Sequence, residues 1–268
     1  MKSVTETRFL SILCTLLLIG ATITGLLAGC GATVTPTASV GAVATPTVST
    51  GATASATPPA SGLGLQPAPW QDGSTASYDW LDASDNQVGT SQYSLALSEG
   101  TWTISETDKL PGLEQKIEVQ IDATALVPLG EHKTIQTANN NVEVTTQYAN
   151  GKLTIDAAVD GQNRNASLDV PANAIDNDQV LMTLRALPFA QDYTVTYVTI
   201  VAQNALKVNT TFTVVSQESV TVPAGTFDTW RVELASGQNK QYAWYQVDAP
   251  HALVQYDNGA NRMVLAGD

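Results

Sequence analysis

Alternation of apolar and polar residues is the dominant pattern between about Trp70 and Asp268. Its clearest example is LKVNTTFTV, which begins at Leu206 and places apolar residues on one face and polar residues on the other. Such alternation is typical of antiparallel strands with one buried and one solvated face. Asn150-Gly151, Asp160-Gly161 and Asn258-Gly259 each fit a type I′ hairpin turn, which needs positive φ at both central positions. The pattern predicts one all-β domain of about a dozen strands joined by short turns.

One segment, AIDNDQVLMTLRALPF, has a helical period instead. Asp176 and Gln179 fit a capping box at its start, and Pro188 ends it. Four apolar residues then share one face, namely Val180, Leu181, Leu184 and Leu187. We therefore predict an all-β fold with one helix, in which a curved antiparallel sheet, an incompletely closed barrel, wraps over a short amphipathic helix. A closed barrel with the helix outside is the alternative.

The N-terminus has the features of an export signal. Lys2 and Arg8 precede an apolar run over residues 9–27, which is followed by Ala28, Gly29 and Cys30. Leu27-Ala28-Gly29-Cys30 resembles the lipobox of bacterial lipoproteins. That resemblance implies that residues 1–29 are a signal peptide and that Cys30 carries a lipid on its sulfur. A plain transmembrane anchor with a chance cysteine is the alternative.

Residues 31–69 consist almost wholly of Thr, Ala, Ser, Gly, Val and Pro, with no charged and no aromatic residue. Such a composition cannot bury enough apolar surface to offset the entropy of ordering the chain. We therefore predict that 30–69 comprises the lipid-modified Cys30 and a disordered tether. Residues 70–268 are predicted to form a single β-rich domain.

Net charge limits the partners. The chain carries −13, and loss of Lys2, Glu6 and Arg8 with the signal peptide changes this to −14. A chain this acidic repels nucleic acid and anionic headgroups, so the membrane is expected to be reached through the lipid on Cys30. We expect a monomer at the extracytoplasmic face of the cell membrane. Cleavage also removes Cys14, which leaves no cysteine for a disulfide or a thiolate metal site.

The sequence contains no strong catalytic or metal-binding motif. His132 and His251 are the only histidines, and neither has a second ligand at a metal-binding spacing. No G-x-S-x-G occurs, and the acidic stretch 82–86 lacks the glycine and glutamate of a calcium loop, which favours a polar turn. The carboxylates of Glu131, Glu143 and Glu233 are scattered along the chain. We therefore expect no enzyme activity, no cofactor and no metal.

Aromatic residues are concentrated near the C-terminus, where they are typical of a β-core. The functional alternative is a groove between the sheet and the helix that holds a lipid or another apolar ligand. The residues predicted to line it are Leu181, Leu184, Arg185, Trp230, Tyr242 and Trp244. Arg185 lies off the apolar stripe of the helix, so we expect it at the mouth of the groove, paired with an acidic headgroup.

Two stretches, ESVTVPAGTFDTWRVEL and YAWYQVDAPHALVQYDNG, with the closing MVLAGD, resemble a family of bacterial envelope proteins known only as a domain of unknown function. That family is distantly similar to lipoprotein carriers of the LolA and LolB type, in which a curved sheet shelters acyl chains. The resemblance implies a half-barrel without catalytic residues. This chain differs from the carriers in having one predicted helix rather than several. Within the VPAGTF motif, Pro223 and Gly225 fit positions i+1 and i+3 of a tight turn.

These observations predict a lipid-anchored extracytoplasmic domain that binds an apolar or amphipathic envelope component without catalysis. A lipid or a lipoprotein is the ligand that the resemblance implies. The alternative is a structural or adhesion module that binds cell-wall polymer or a protein partner.

Overall fold

The computed structural model describes residues 63–267, and every structural statement below concerns that range. One sheet contains fifteen strands. They are β1 (Thr75–Leu81), β2 (Gln87–Ser98), β3 (Thr101–Leu110), β4 (Leu113–Asp122), β5 (Pro128–Thr137), β6 (Asn141–Ala149), β7 (Lys152–Val159), β8 (Gln162–Asp169), β9 (Ala174–Asp176), β10 (Thr194–Val201), β11 (Leu206–Val222), β12 (Gly225–Ser236), β13 (Asn239–Gln246), β14 (Leu253–Asp257) and β15 (Arg262–Leu265).

The strand order runs from β8 down to β1, then β15 down to β9. All neighbours are antiparallel except β9 and β10, which are parallel. The two end strands, β8 and β9, do not pair with each other, so the sheet stays open. This confirms the predicted fold, a curved antiparallel sheet that does not close into a barrel.

A helical segment of residues 177–186 lies on the inner side of the sheet. It consists of a 3₁₀ turn (Asn177–Gln179), the α-helix α1 (Val180–Thr183) and a second 3₁₀ turn (Leu184–Ala186). The predicted capping box is present, since Asp176 accepts from the Asp178 amide and Gln179 accepts from the Asp176 amide. The Tyr245 hydroxyl donates to the Leu181 carbonyl at 3.0 Å, which joins the segment to the sheet. One further 3₁₀ turn (Ala202–Asn204) precedes β11.

Two of the three predicted type I′ turns are confirmed. Asn150-Gly151 has φ values of 53° and 72°, and Asp160-Gly161 has 50° and 76°. The prediction for Asn258-Gly259 is wrong, because only Gly259 has positive φ, at 90°. The Asn258 side chain accepts from the amides of Ala260 and Asn261, so it stabilises a four-residue loop in place of a two-residue turn.

The folded part begins earlier than predicted. Leu63 and Leu65 are buried in the main core at 3% and 0% exposure. The Tyr197 hydroxyl donates to the Leu63 carbonyl at 2.6 Å, and the Gln66 amide donates to the Ala186 carbonyl at 2.8 Å. Residues 63–69 therefore belong to the folded domain, because their two leucines bury large apolar side chains in its core. The predicted signal peptide, Cys30 and tether residues 31–62 lie outside the described residues.

The PAG stretch is a tight corner, as predicted. Val222 pairs with Gly225, so Pro223 and Ala224 form the turn of the β11–β12 hairpin. The hairpin packs on the outer face of the sheet, where Val222 forms a small core with Val254 and Val264. No helix among residues 63–267 has both the length and the apolar character needed to cross a membrane.

Candidate functional site

A cavity of about 330 Å³ lies between the inner face of the sheet and the start of the helical segment. Strands β1–β4 form one wall and strands β10–β14 form the opposite wall. Asn177 and Asn239, which line the cavity and are exposed, mark its mouth. The volume is at the lower end of the range typical of small-molecule sites, about 300–1,000 Å³.

The wall formed by β2–β4 carries a polar belt. Strand alternation that points Trp102 and Ile104 inward also points Glu106 and Asp108 inward. The Tyr93 hydroxyl donates to Glu106 Oε1 at 2.5 Å, and the Ser91 hydroxyl donates to Asp108 Oδ1. Gln115 Nε2 donates to Asp108 Oδ2 at 3.0 Å. Burial, reinforced by the charge of Asp108, raises the pKa of Glu106 well above its ordinary value, which favours the neutral acid.

A second acidic cluster adjoins the belt where the helical segment begins. It contains Glu131 on β5, Asp176 at the end of β9 and Asp178, whose carboxylate oxygens lie within 4.8 Å of one another. Lys133, from the same face of β5, donates through Nζ to Asp178 Oδ2 at 2.7 Å. The Tyr148 hydroxyl donates to Asp176 Oδ2 at 2.5 Å. Asp178 also lines the cavity, so the cluster and the cavity share a wall.

Charge balance decides the protonation of this cluster. If all three acids were ionised, Lys133 would balance only one of them. Both Glu131 oxygens are buried without a hydrogen-bond donor. Burial, with the charges of Asp176 and Asp178, raises the pKa of Glu131 to about 11, so it holds a proton at neutral pH. Burial also raises the pKa of Asp176 to about 6. Burial alone would lower the pKa of Lys133, but attraction to Asp178 and the hydrogen bond with it raise this pKa overall, so Lys133 stays charged.

Comparison with protein families identifies the domain. The family described as "Protein of unknown function (DUF3108)" matches residues 75–264. The chain belongs to the DUF3108 family. Its description assigns no activity, and comparison with curated proteins finds no match.

Three solved structures are similar to this DUF3108 domain, and the first of them shares its fold. A beta-barrel-like protein of the domain of unknown function DUF1849 from Brucella abortus is 13% identical, with a TM-score of 0.50 over 72% of this chain and 95% of that chain. A candidate lipoprotein from Parabacteroides distasonis is 12% identical, with a TM-score of 0.26 over 74% of this chain and 96% of that one. A candidate exported protein with a YmcC-like fold from Bacteroides fragilis is 13% identical, with a TM-score of 0.25 over 74% and 96%.

The DUF3108 domain does not bring the six predicted groove residues together. Leu181 lines the cavity, whereas Leu184 is fully buried in the core. Arg185 is also buried, where it donates to the Pro250 carbonyl at 3.1 Å. The prediction that Arg185 stands at the groove mouth is therefore wrong. A helix enclosed by a curved sheet is surrounded on its polar side as well as on its apolar side.

The three predicted aromatic residues lie away from the cavity. Trp230 faces inward but stacks on Phe189, with ring centroids 6.3 Å apart. Tyr242 and Trp244 alternate with the buried Ala243 along β13, and they contact Arg231 instead. The Arg231 guanidinium lies 4.1 Å from the Tyr242 ring centroid and 5.4 Å from that of Trp244. Strand alternation places these two rings on the outer face, so the predicted groove composition is corrected to the cavity described above.

The sequence contains a signal for the buried acidic residues of the cavity wall, although none of them was predicted as a site residue. In GEHKTI, the inward position of Ile135 places Lys133 and Glu131 on the same face, two and four residues earlier. The same argument extends from Ile104 to Glu106 and Asp108 along β3. These acids occupy the same alternate strand positions as the buried apolar residues, and on that basis the sequence alone would have identified them.

The other residues considered from sequence have local structural roles. Asp82 Oδ1 accepts from the amides of Ser84 and Asn86 at 2.8 and 3.0 Å, as in a polar hairpin turn. His132 is exposed and lies 3.1 Å from Glu143. His251 Nδ1 lies 2.9 Å from the Gln246 carbonyl.

Proposed function

We propose that this protein is a lipid-anchored protein of the bacterial envelope whose DUF3108 domain binds an amphipathic envelope component in its cavity, without catalysis. The observation that carries the proposal is the two-sided lining of the cavity. Val180, Leu181 and Phe212 supply apolar surface, while Tyr93 and Glu106 supply polar groups. Such a mixture suits a ligand with one apolar and one polar end.

The size of the cavity limits the ligand. At about 330 Å³, the cavity is at the low end of the volumes typical of small-molecule sites, roughly 300–1,000 Å³. A single short chain with a small polar end fits this volume, whereas both acyl chains of a phospholipid do not. The proposal therefore keeps the general feature of LolA-type carriers, a curved sheet that shelters an apolar group, with a smaller ligand.

Absence of catalysis is part of the proposal because the acids of the cavity wall have structural partners. Glu106 accepts from Tyr93, and Asp178 is paired with Lys133. Neither His132 nor His251, the side chains best suited to proton transfer near neutral pH, is among the residues that line the cavity.

Displacement of a fluorescent apolar probe tests the binding function. The protein is the mature chain from residue 30 onward with Cys30→Ala, and the probe is N-phenyl-1-naphthylamine. We expect saturable probe binding that Leu181→Trp weakens at least about tenfold, because the larger ring fills the cavity. The matched control is Leu206→Trp, since Leu206 is 47% exposed and is not among the lining residues. Equal affinity in both variants, or no saturable binding, would contradict the proposal.

Fractionation of cells tests the lipid anchor. Cys30→Ala should move the protein from the membrane fraction to the soluble fraction without changing its unfolding temperature, because Cys30 precedes the described domain by more than 30 residues. Cys14→Ala is the matched control and should leave the mature protein in the membrane. A Cys30→Ala protein that stays in the membrane after removal of residues 1–29 would rule out anchoring through this residue.

A further inference from the structure

The charged side chains around the cavity indicate the charge of the polar group that its ligand carries. We infer that the cavity selects a cationic amphiphile, a short apolar chain that carries a protonated amine, over neutral and anionic amphiphiles of the same length. The inference rests on the proposed binding function and specifies its ligand class.

The cavity lining contains acidic but no basic side chains within residues 63–267. Glu106 and Asp178 line it, and no Lys, Arg or His does so among the described residues. Asp108, Asp176 and Glu131 add further acids behind this wall, and the charge of Lys133 is already used by Asp178 at 2.7 Å. An anionic headgroup would therefore find no free positive partner here and would face the Asp178 carboxylate. This argues against the acidic headgroup expected from Arg185.

Glu106 is the acid positioned to receive the cation. Among the ion pairs of residues 63–267, none involves Glu106. Its carboxyl accepts from the Tyr93 hydroxyl, which leaves it in the cavity wall without a counter-charge. A ligand ammonium group would supply that charge through a charge-assisted hydrogen bond.

Aromatic rings around the same wall also favour a cation. Trp80, Tyr93 and Tyr256 line the cavity together with Glu106. Trp80 and Tyr256 pack edge to face, with ring centroids 6.3 Å apart. The faces of aromatic rings attract ammonium groups when they approach within about 6 Å. An acid with several aromatic rings recognises an amine better than it recognises a hydroxyl group.

Binding of the amine is coupled to release of a proton. In the empty cavity Glu106 is shifted toward its neutral acid form, and Tyr93, Asp108, Lys133, Asp178 and Tyr256 are the titratable groups that face it. When the ammonium binds, the carboxyl O–H bond breaks, the carboxylate pairs with the ammonium and the proton passes to solvent. Affinity for the amine therefore rises with pH while the amine itself stays protonated.

Three ten-carbon amphiphiles that differ only in the head group test the inference. Decylamine, decanol and decanoate are compared by displacement of N-phenyl-1-naphthylamine from the same mature Cys30→Ala chain. We expect decylamine to bind at least about tenfold more tightly than decanol and decanoate to bind most weakly. Glu106→Gln should remove most of the preference for the amine, so that the ratio of the decylamine and decanol affinities falls toward one. Glu118→Gln is the matched control, because Glu118 is exposed and lies outside the lining.

The possible outcomes separate the two proposals. Equal binding of all three amphiphiles, or tightest binding of decanoate, overturns the inference and leaves the binding function intact. No binding of any of them overturns the binding function itself. Displacement of decylamine by millimolar CaCl₂ would assign the acids to a metal ion and also overturn the inference.

Calorimetry on the unsubstituted cavity keeps the test valid if Glu106→Gln does not fold. Titration of decylamine in phosphate and in Tris, which differ in ionisation heat, gives the number of protons released. Net release of protons on binding of the amine is expected. Release of no proton would contradict the role of Glu106.

Discussion

Glu131 is a carboxylic acid that keeps its proton at neutral pH, because burial and two neighbouring aspartates all oppose its ionisation. Lys133, two residues further along the same strand face, is stabilised in its charged form by those aspartates. Removing either member of the Lys133–Asp178 pair would leave a buried charge uncompensated, which is typically far more costly than breaking an exposed ion pair. Because Glu131 is buried together with its proton, the stability of this part of the domain depends on pH.

The pH dependence predicts that Glu131→Gln stabilises the protein. The pKa of Glu131 is about 11 in the folded state and about 4.3 in an unfolded chain. Between these values the folded state holds one more proton, so its stability falls as pH rises. Gln copies the neutral acid without needing a proton. We expect an advantage of at least about 1 kcal/mol at pH 8 that grows between pH 5 and pH 9, measured by urea unfolding.

Glu118→Gln provides the comparison, since it makes the same chemical change on the exposed face of β4. Its effect should be within about 0.5 kcal/mol at each pH. An advantage of Glu131→Gln that stays constant with pH would show that Glu131 is ionised in the folded protein. Lys133, Tyr148, Asp176 and Asp178 are the titratable groups that face it.

The sequence predicts which face of a strand a residue occupies. It does not predict which residues of other elements lie opposite that face. The period of β5 indicates that Glu131 and Lys133 share the face of Ile135. It does not indicate that Asp178, 45 residues after Lys133, lies opposite. That contact depends on where the helical segment docks inside the sheet, which local patterns do not encode. The burial of Arg185 escaped prediction for the same reason.

At the scale of elements, the β11–β12 hairpin shows how one turn depends on glycine. Gly225 has φ of 138°, which side-chain-bearing residues rarely adopt. A Cβ placed there would lie 3.7 Å from Phe227 Cζ, an ordinary contact. The demand for glycine therefore comes from the backbone conformation and not from crowding.

This conformation predicts a cost for Gly225→Ala. We expect a loss of about 1–3 kcal/mol in the free energy of unfolding, from backbone strain. Pro223→Ala in the same turn should cost at most about 1 kcal/mol, through the greater freedom of the unfolded chain. Chemical denaturation of both variants gives the comparison, and equal costs would show that the turn relaxes to fit alanine.

Elements with a strong local signal were predicted well. The capping box at Asp176 and the turns at Asn150-Gly151 and Asp160-Gly161 depend on neighbouring residues only. Asn258-Gly259 has the same dipeptide type, but the Asn258 side chain bonds the loop backbone and changes the turn. Glu99-Gly100, with φ values of 49° and 79°, forms a similar turn without the Asn or Asp that marks such turns in a sequence.

At the scale of the whole molecule, the composition of residues 31–69 did not show where the folded domain begins, whereas Leu63 and Leu65 mark that point. Leu63 and Leu65 are the only leucines between Gly31 and Pro69, too few to form a pattern, yet both are buried in the core. Strand alternation and the single helix were sufficient to predict an open curved sheet. The pairing of β1 with β15 was not predictable, because it joins segments that are remote in sequence.

Truncation tests where the domain begins. A chain that starts at Trp70 should be less stable than one that starts at Leu63, by several kcal/mol, since burial of each leucine contributes about 2–5 kcal/mol relative to alanine. Leu63→Ala with Leu65→Ala in the longer chain removes the same packing without shortening it, and should reproduce most of the loss. Thermal unfolding compares the two chains and the double variant. Equal unfolding midpoints would show that residues 63–69 are part of the tether and not of the folded domain.

The position of β15 has a consequence for how the domain folds. Strands β1–β8 form one run of neighbours and β9–β15 another, and β15 joins the two by pairing with both β1 and β14. Tyr78 pairs with Leu265, across almost the entire length of the domain. Contacts of such long sequence separation are slow to form, because the intervening chain must be ordered first. The edge of β1 therefore stays open until the last strand arrives, and during that interval the chain is most exposed to misassembly with another copy of itself.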